Sequence, residues 1–242
     1  MLIKDRRKLE NADLLSGVTL LVDKPLHWTS FDVVNKIRNA VKKKTGLKKV
    51  KVGHAGTLDP LATGLLIIAI GKDTKNIQHF SDLDKIYSGT MRLGATTKTY
   101  DSEFEPDEFF PVDHIDGELL HETVKKFTGV IEQIPPLYSA VKIKGKAAYK
   151  LAREGKTFEI KKRKVEIFDF KLTNINMPDV DFEVKCSKGT YIRSLVHDFG
   201  KAMNSGAYLL SLRRIAIGEH KIEDAFDLDE VINTLNSKHA AE

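Results

Sequence analysis

Strand-like and helix-like patterns are interleaved along this chain without a regular alternation, and that order limits the fold more than any other feature. Residues 18–23 and 65–70 are short apolar runs typical of buried strands, and residues 181–186 alternate polar and apolar residues as a half-buried strand does. Because repeated strand–helix units are absent, the pattern favours a mixed α/β (α+β) fold with a largely antiparallel sheet over a doubly wound one.

The remaining elements follow from the same periodicities. Strands are predicted over residues 86–93 and 208–217, and helices over residues 119–127, 147–153 and 228–235. Ser30 and Thr190 are each placed to cap a further helix that carries an apolar stripe. With no linker or repeat in the sequence, we expect residues 1–242 to form a single domain with loop insertions.

Several classes of protein lack their signatures here. The single cysteine, Cys186, cannot form an intramolecular disulfide. The first residues carry no apolar core of a signal peptide, and the longest apolar run is far below the roughly 20 residues that span a bilayer. Zinc spacings, phosphate loops, dinucleotide-binding glycine motifs and the GxSxG elbow are also missing. We therefore expect a cytoplasmic protein with no membrane association, no metal and no cofactor, whose chemistry depends on side chains alone.

The net charge of +5 hides a strong separation of charge. Residues 36–51 hold eight basic residues and no acidic one, and residues 142–164 hold ten basic residues and two acidic ones. By contrast, residues 101–122 hold nine carboxylates and no lysine or arginine. Two interpretations stay open, a polyanionic partner such as a nucleic acid or ordinary solvated helix faces and loops.

One short segment combines glycines with a lone acid. Residues 53–64 (GHAGTLDPLATG) hold three glycines, one histidine and a single carboxylate, Asp59, directly before Pro60. A residue that precedes proline is pushed towards extended backbone, and glycines permit tight turns and close approach of a ligand. The residues by themselves indicate either an acid held in a fixed position for catalysis or an ordinary Asp-Pro turn.

This segment resembles the catalytic-loop signature of the TruB-like tRNA pseudouridine-55 synthases. Further stretches match that family in order, between about residue 17 and about residue 218: DKP at 23–25, WTS at 28–30, KIY at 85–87, TKTYD at 97–101, PPLYSA at 135–140, GTYIR at 189–193 and LRR at 212–214. The resemblance implies the pseudouridine-synthase fold and a cofactor-free isomerase. Such an enzyme detaches the uracil at position 55 in the T loop of tRNA, turns it and rejoins it to the ribose through C5.

The resemblance also implies roles for three catalytic residues. Asp59 matches the nucleophile, although attack on the ribose C1′ and attack on the uracil C6 both stay open. Arg193 matches the arginine that keeps this carboxylate ionised in a dry site. Tyr87 matches the tyrosine that stacks on the target uracil and helps to remove its C5 proton. From the residues alone, Arg193 could equally be a surface residue of a helix, and Tyr87 a core or edge tyrosine.

Further residues match positions that bind or support the substrate. Asp101 matches an acidic partner of the arginine, His54 a residue that helps to open the T loop, and Lys24 a lysine that supports the site. By the same resemblance, Tyr191 lies near the site and Leu212 packs the pocket wall. The segment at about residues 136–158 corresponds to one that folds over the RNA loop, and in this chain it carries Lys142 and Lys144 as candidate RNA-binding residues. His54 could instead be an ordinary structural histidine.

The chain departs from the family pattern in two places. Only about 25 residues follow residue 217, so we expect no separate C-terminal RNA-binding domain of the kind that many members have. Ala55 stands where the family often has threonine. A monomer that binds the T-arm loop of tRNA is expected. The alternatives are a non-catalytic tRNA-binding or tRNA-folding chaperone on the same scaffold, and a pseudouridine synthase that acts on another RNA.

Overall fold

A computed structural model describes residues 1–237 of the chain, which divide into two compact units. Unit 1 consists of Met1–Lys85 together with the chain from Arg213 onward, and unit 2 consists of Ile86–Leu212. The single domain expected from the sequence stays a prediction, and each unit is described by itself below.

The strands follow the predicted runs closely. In chain order they are β1 (Leu2–Ile3), β2 (Val18–Lys24), β3 (Val52–Ala55), β4 (Ala62–Ile70), β5 (Lys85–Leu93), β6 (Ala95–Thr96), β7 (Glu108–Phe109), β8 (Gly129–Gln133), β9 (Lys142–Ile143), β10 (Lys146–Ala147), β11 (Arg163–Asn176), β12 (Asp179–Cys186), β13 (Ala207–Ile217), β14 (His220–Lys221) and β15 (Phe226–Asp227). The five predicted strands correspond to β2, β4, β5, β12 and β13, and these assignments are confirmed.

The helices match the predicted periodicities as well. They are α1 (Arg6–Glu10), α2 (Ser30–Thr45), α3 (Ile77–Asp82), α4 (Gly117–Lys126), α5 (Ala148–Arg153), α6 (Ile192–Ala202) and α7 (Leu228–Asn236), with 3₁₀ turns over Gly71–Asn76 and Ile222–Asp224. Within residues 1–237, no helix has the length and apolar character needed to cross a membrane.

In unit 1, β2 and β4 form the centre of a sheet that is covered on both faces. They pair antiparallel, β3 pairs antiparallel with β4, and β1 and β15 pair parallel with β2. Alternate residues of the two strands pack against α2 and α7 on one face, and the intervening residues pack towards Ile77 and Phe80 on the other. Because both faces are buried, the two strands are apolar throughout rather than alternating.

Both predicted helix caps were wrong by one residue. Thr29, not Ser30, is the N-cap of α2: it accepts a hydrogen bond from the Asp32 amide, and the Asp32 carboxylate accepts one from the Thr29 amide. Tyr191, not Thr190, precedes α6, and no side chain caps that helix. Thr190 instead donates to the Ser187 carbonyl over 2.9 Å, because a hydroxyl bonds whichever backbone group the turn brings close.

Unit 2 is built on an antiparallel sheet with an aromatic core. Long strand β11 pairs with β8 on one side and β12 on the other, with two irregularities of register on the β12 side. Phe170 packs edge-on against Phe182 and Phe199, so the sheet and α6 share one cluster of rings. The α+β fold with a largely antiparallel sheet is confirmed, and in unit 1 the strands β1 and β15 join β2 in parallel.

Candidate active site

Asp59 lies in a tight turn between β3 and β4. The Ala62 amide donates to the Asp59 carbonyl over 3.1 Å, and the Asp59 side chain is partly buried. Gly56 leads out of β3 with φ of +82°, a left-handed conformation that glycine adopts without steric cost. The turn is therefore confined to residues 56–61, because the ends of the predicted turn-rich segment belong to the two strands.

Ser30 fixes the backbone just before Asp59. The Leu58 amide donates to Ser30 Oγ over 2.8 Å, and Ser30 Oγ donates back to the Leu58 carbonyl over 3.2 Å. Since Thr29 caps α2, the Ser30 hydroxyl is available for this buried pair of bonds. The first turn of α2 and the turn that carries Asp59 are thereby joined.

Lys24 holds the other side of the same turn from inside the protein. Its side chain is 0% exposed, and Nζ donates to the carbonyls of Trp28 (2.6 Å), Pro25 (2.9 Å) and Pro60 (3.5 Å). Burial lowers the pKa of the Lys24 ammonium to about 8, with the Asp59 carboxylate acting in the opposite direction. At pH 7 the group is still mostly charged, and its three N–H donors have carbonyl acceptors.

Arg214 ties the two ends of this segment together. It is 1% exposed, and its guanidinium donates from Nε to the Leu65 carbonyl (2.7 Å) and from Nη2 to the Gly56 carbonyl (3.0 Å). A Cβ on Gly64 would lie 2.3 Å from the Arg214 carbonyl oxygen, so only glycine permits β4 to pass this close. Arg214 therefore fixes where the segment leaves β3 and where it enters β4.

His54 lies on β3 and is partly buried within unit 1. Burial lowers the pKa of its imidazole, and the Arg214 guanidinium lowers it further. His54 is consequently neutral at pH 7 and contributes no charge to the surroundings of Asp59. Unit 1 thus brings together the predicted site residues Lys24, His54 and Asp59.

In unit 2, Arg193 is held rigidly by backbone carbonyls. It lies in the first turn of α6 and is 5% exposed, so the alternative of a surface residue was wrong. Nη1 donates to the Thr99 carbonyl and Nη2 donates to the Tyr138 carbonyl, each over 3.0 Å. The planar guanidinium can satisfy both acceptors at once, which a lysine ammonium at the same position could not do.

Asp101 is the acidic partner of Arg193, as the sequence predicts. One carboxylate oxygen lies 3.6 Å from Arg193 Nε, and both side chains are buried. The other oxygen accepts hydrogen bonds from Thr99 Oγ1 (2.6 Å) and from the Glu103 amide (3.1 Å). The pair is therefore a buried ion pair whose members are both fixed by further hydrogen bonds.

Tyr191, just before α6, is fixed by a residue that the sequence did not single out. Gln133 accepts from the Tyr191 amide over 2.7 Å and donates to the Tyr191 carbonyl over 2.9 Å. The Arg163 guanidinium lies over the Tyr191 ring at 5.0 Å. This reciprocal amide pair sets the backbone from which the first turn of α6 begins.

The remaining predicted site residues also lie in unit 2. Tyr87 is mostly buried on β5, and Leu212 is partly exposed on β13. Lys142 and Lys144 belong to a hairpin of β9 and β10, in which Lys144 (φ +47°) and Gly145 (φ +85°) form the two-residue turn. Both lysines are exposed, and the hairpin leads directly into α5.

The family model for the N-terminal domain of TruB family pseudouridylate synthases matches residues 42–192 of this chain. The chain belongs to this family. Among family members, a tRNA pseudouridine synthase B from Flavobacterium johnsoniae is 54% identical over 217 residues, which is 89% of this chain and 95% of that one. Another from Phocaeicola vulgatus is 49% identical over 226 residues, covering 93% of this chain and 96% of the relative.

Solved structures of larger assemblies contain the same fold as this TruB family chain. A chain of a Cbf5-Nop10-Gar1 complex superposes with a TM-score of 0.67 at 30% identity, covering 91% of this chain and 54% of that one. A chain of an H/ACA RNP bound to a substrate RNA containing 2′-deoxyuridine gives a TM-score of 0.64 at 27% identity, covering 89% and 52%. The chain thus spans about half the length of those two structures.

Three residues that shape this TruB family site were not predicted as site residues: Ser30, Gln133 and Arg214. Two of them lie in stretches that match the family, WTS and LRR, so the motifs contained a signal. Gln133 precedes the matching PPLYSA stretch and gave no signal of its own, because its partner Tyr191 is 58 residues further along the chain.

Proposed function

We propose that this chain converts the uridine at position 55, in the T loop of tRNA, to pseudouridine, with the Asp59 carboxylate as nucleophile. Its family consists of pseudouridylate synthases, and the curated relatives that cover nearly all of its length are named tRNA pseudouridine synthase B. The GHAGTLDPLATG segment supports the choice of tRNA and of this position through its resemblance to the family's catalytic loop.

The observation that carries this proposal is the way unit 1 holds Asp59. The residues on both sides of Asp59 are held by hydrogen bonds, Leu58 by the buried Ser30 hydroxyl, and Pro60 by the His27 amide (2.8 Å) and more weakly by the buried Lys24 ammonium (3.5 Å). Fixing the position of a nucleophile before the substrate binds lowers the activation free energy, because less entropy is lost in reaching the transition state. An ordinary Asp-Pro turn on the surface needs none of these buried donors.

The reaction is an isomerisation and balances without a cofactor. The bond between ribose C1′ and uracil N1 breaks, a bond between C1′ and C5 forms, C5 loses a proton and N1 gains one. Asp59 attacks as a carboxylate, either at C1′ or at C6, and leaves again when the new carbon–carbon bond has formed. The nearby ammonium of Lys24, which is mostly protonated at pH 7, stabilises the negative charge of the Asp59 carboxylate.

The other roles follow from the family resemblance and are part of the same proposal. Tyr87 stacks on the target uracil, Arg193 supports the ionised nucleophile, and Asp101 orients Arg193. The substrate-binding residues are His54, Lys24, Tyr191, Leu212, Lys142 and Lys144. We propose further that the protein works as a monomer in the cytoplasm on the T arm of tRNA.

Tritium release from a tRNA transcript labelled at uracil C5 tests the proposal. Wild-type protein should release tritium from position 55, and Asp59→Asn should reduce the rate by at least about 10⁴-fold, because it removes the nucleophile and preserves the shape of the side chain. Asp113→Asn, an exposed aspartate of unit 2, is the matched control and should keep full activity.

Binding of the same tRNA distinguishes the alternatives. Asp59→Asn should still bind tRNA, since the phosphate contacts are unchanged. Tight binding by wild-type protein without any tritium release would contradict the proposal and indicate a tRNA-folding chaperone. Release from another uridine, or from another RNA only, would contradict the choice of position 55.

A further inference from the structure

A cluster of lysines lies in unit 1 between α2 and β3, at the ends of these two elements that are remote from Asp59. We call residues 42–51 the basic turn, which joins the end of α2 to the start of β3. It carries six lysines and no acidic residue: Lys42, Lys43, Lys44, Lys48, Lys49 and Lys51. The site described above uses none of them.

The lysines of the basic turn are not neutralised by the protein. Lys44 donates to the Glu10 carbonyl over 2.9 Å, and within residues 1–237 the other five form no ion pair with a carboxylate. Residues 142–164 differ, because Arg153, Lys156 and Lys162 each pair with a glutamate. The basic turn therefore keeps an uncompensated positive charge towards solvent.

The helix dipole accounts for only part of this charge. Lys42, Lys43 and Lys44 lie in the last turn of α2, where cations favour the negative end of the dipole. Lys48, Lys49 and Lys51 lie beyond the helix and are all exposed. Nothing in the stability of α2 requires these three, so their charge is available to an anionic ligand.

The backbone of the basic turn is fixed at both ends. Gly46 adopts φ of +71° as the C-cap of α2, and its amide donates to the Lys42 carbonyl over 2.9 Å. Arg38, on α2, donates to the Val52 carbonyl at the start of β3 over 2.9 Å. Both ends of the basic turn are therefore held in place before a partner arrives, which lowers the entropy lost on binding.

The position of the basic turn relative to Asp59 follows from unit 1 itself. Ser30, at the first turn of α2, contacts Leu58, and α2 rises about 1.5 Å per residue from there to Lys44. The basic turn consequently lies about 15 to 20 Å from the turn that carries Asp59, with Lys51 the nearest of its lysines because only β3 separates it from Gly56. A group at that distance cannot touch a uridine at Asp59 but can contact the same RNA further along its backbone.

We propose that the basic turn binds the phosphate backbone of the substrate RNA about 15 to 20 Å from the target uridine. RNA is the partner that fits, because unpaired lysines on an ordered turn bind closely spaced phosphates and release counterions. The contact carries no base recognition and adds affinity to the whole substrate. This inference rests on the proposed function, which supplies the RNA and its orientation.

The salt dependence of tRNA binding tests the inference. The triple variant Lys48→Gln, Lys49→Gln and Lys51→Gln should raise the Kd of a full-length tRNA transcript by about tenfold and reduce the slope of log Kd against log salt by about 2. Its rate of pseudouridine formation at saturating tRNA should equal that of wild-type protein. Lys125→Gln, Lys126→Gln and Lys221→Gln form the matched control, since they remove three exposed lysines elsewhere, and should leave the slope unchanged.

Two further experiments distinguish the loss of an RNA contact from a defect in folding. Replacing the same three lysines by arginine keeps the charge and should restore the wild-type slope. With a T-loop hairpin too short to reach about 15 Å from the uridine, the glutamine variant and wild-type protein should bind equally. A wild-type slope for the glutamine variant, or an equal loss of affinity for the short hairpin, would overturn the inference. Failure of wild-type protein to form pseudouridine would contradict the proposed function instead, and the slopes would still be measured.

Discussion

The two units hold their candidate catalytic groups in opposite ways. In unit 1, buried cations hold a backbone: Lys24 and Arg214 donate to carbonyls in and beside the turn that carries Asp59. In unit 2, the backbone holds a buried cation: the carbonyls of Thr99 and Tyr138 accept from Arg193. In both units, backbone carbonyls compensate a buried positive charge. In unit 1 the result is a fixed backbone turn, and in unit 2 it is a fixed guanidinium.

This difference predicts that the two kinds of buried cation contribute differently to the stability of the fold and to the rate of the reaction. A cation that anchors a backbone is needed for the shape of the turn, so its loss should destabilise the fold and only indirectly slow the reaction. A cation that is itself positioned contributes its charge and its geometry, so a conservative change should slow the reaction with a smaller effect on stability. The first two predictions below test that contrast, with the larger expected effect on stability first, and the third tests the buried anchor Lys24 through the pH dependence of stability.

Arg214→Met should lower the free energy of unfolding by about 3 kcal/mol, because two buried carbonyls, those of Gly56 and Leu65, lose their donor. Urea denaturation followed by circular dichroism measures this change. Arg213→Met is the matched control: Arg213, the neighbour of Arg214, pairs with Asp23 at a half-exposed position, so its loss should change stability by less than about 1 kcal/mol. Equal losses for the two arginines would contradict the anchoring role of Arg214.

Arg193→Lys should slow pseudouridine formation by about 100-fold while costing only about 1 to 2 kcal/mol of unfolding free energy. Lysine keeps the charge but cannot reach the Thr99 and Tyr138 carbonyls together. Single-turnover rates with excess enzyme measure the chemical step, and Arg92→Lys, a partly exposed arginine of unit 2 paired with Asp179, serves as control and should keep the wild-type rate. An unchanged rate with reduced stability would show that Arg193 anchors structure as Arg214 does.

Lys24 should make the stability of the protein depend on pH. Its pKa is about 8 in the folded protein against an ordinary value of 10.5, so between those two values the unfolded chain binds more protons than the folded one. The free energy of unfolding contributed by Lys24 therefore rises with pH across that window and is lowest below pH 8. The stability of wild-type protein relative to Lys24→Met should increase from pH 8 to pH 10.5, measured by urea denaturation at several pH values. A decrease would contradict the lowered pKa.

Local sequence predicted the elements well because their signals are local. The apolar runs of β2 and β4 and the stripe on α2 depend on residues within one or two turns of each other. The caps show the limit of such signals, since adjacent hydroxyl residues, Thr29 and Ser30, are equally suited to cap α2. Only the position of Leu58, 28 residues away, assigns Ser30 to the turn instead.

The sequence by itself determined the family, the α+β fold and the segment in which Asp59 lies, because each is written in contiguous residues. Tertiary structure alone decided which groups hold that segment. Arg214 contacts the Leu65 carbonyl across 149 residues of chain and Arg193 contacts the Thr99 carbonyl across 94. A buried charge is stable only where several carbonyls accept hydrogen bonds from it. Here those carbonyls come from distant parts of the chain, so they meet only in the folded structure.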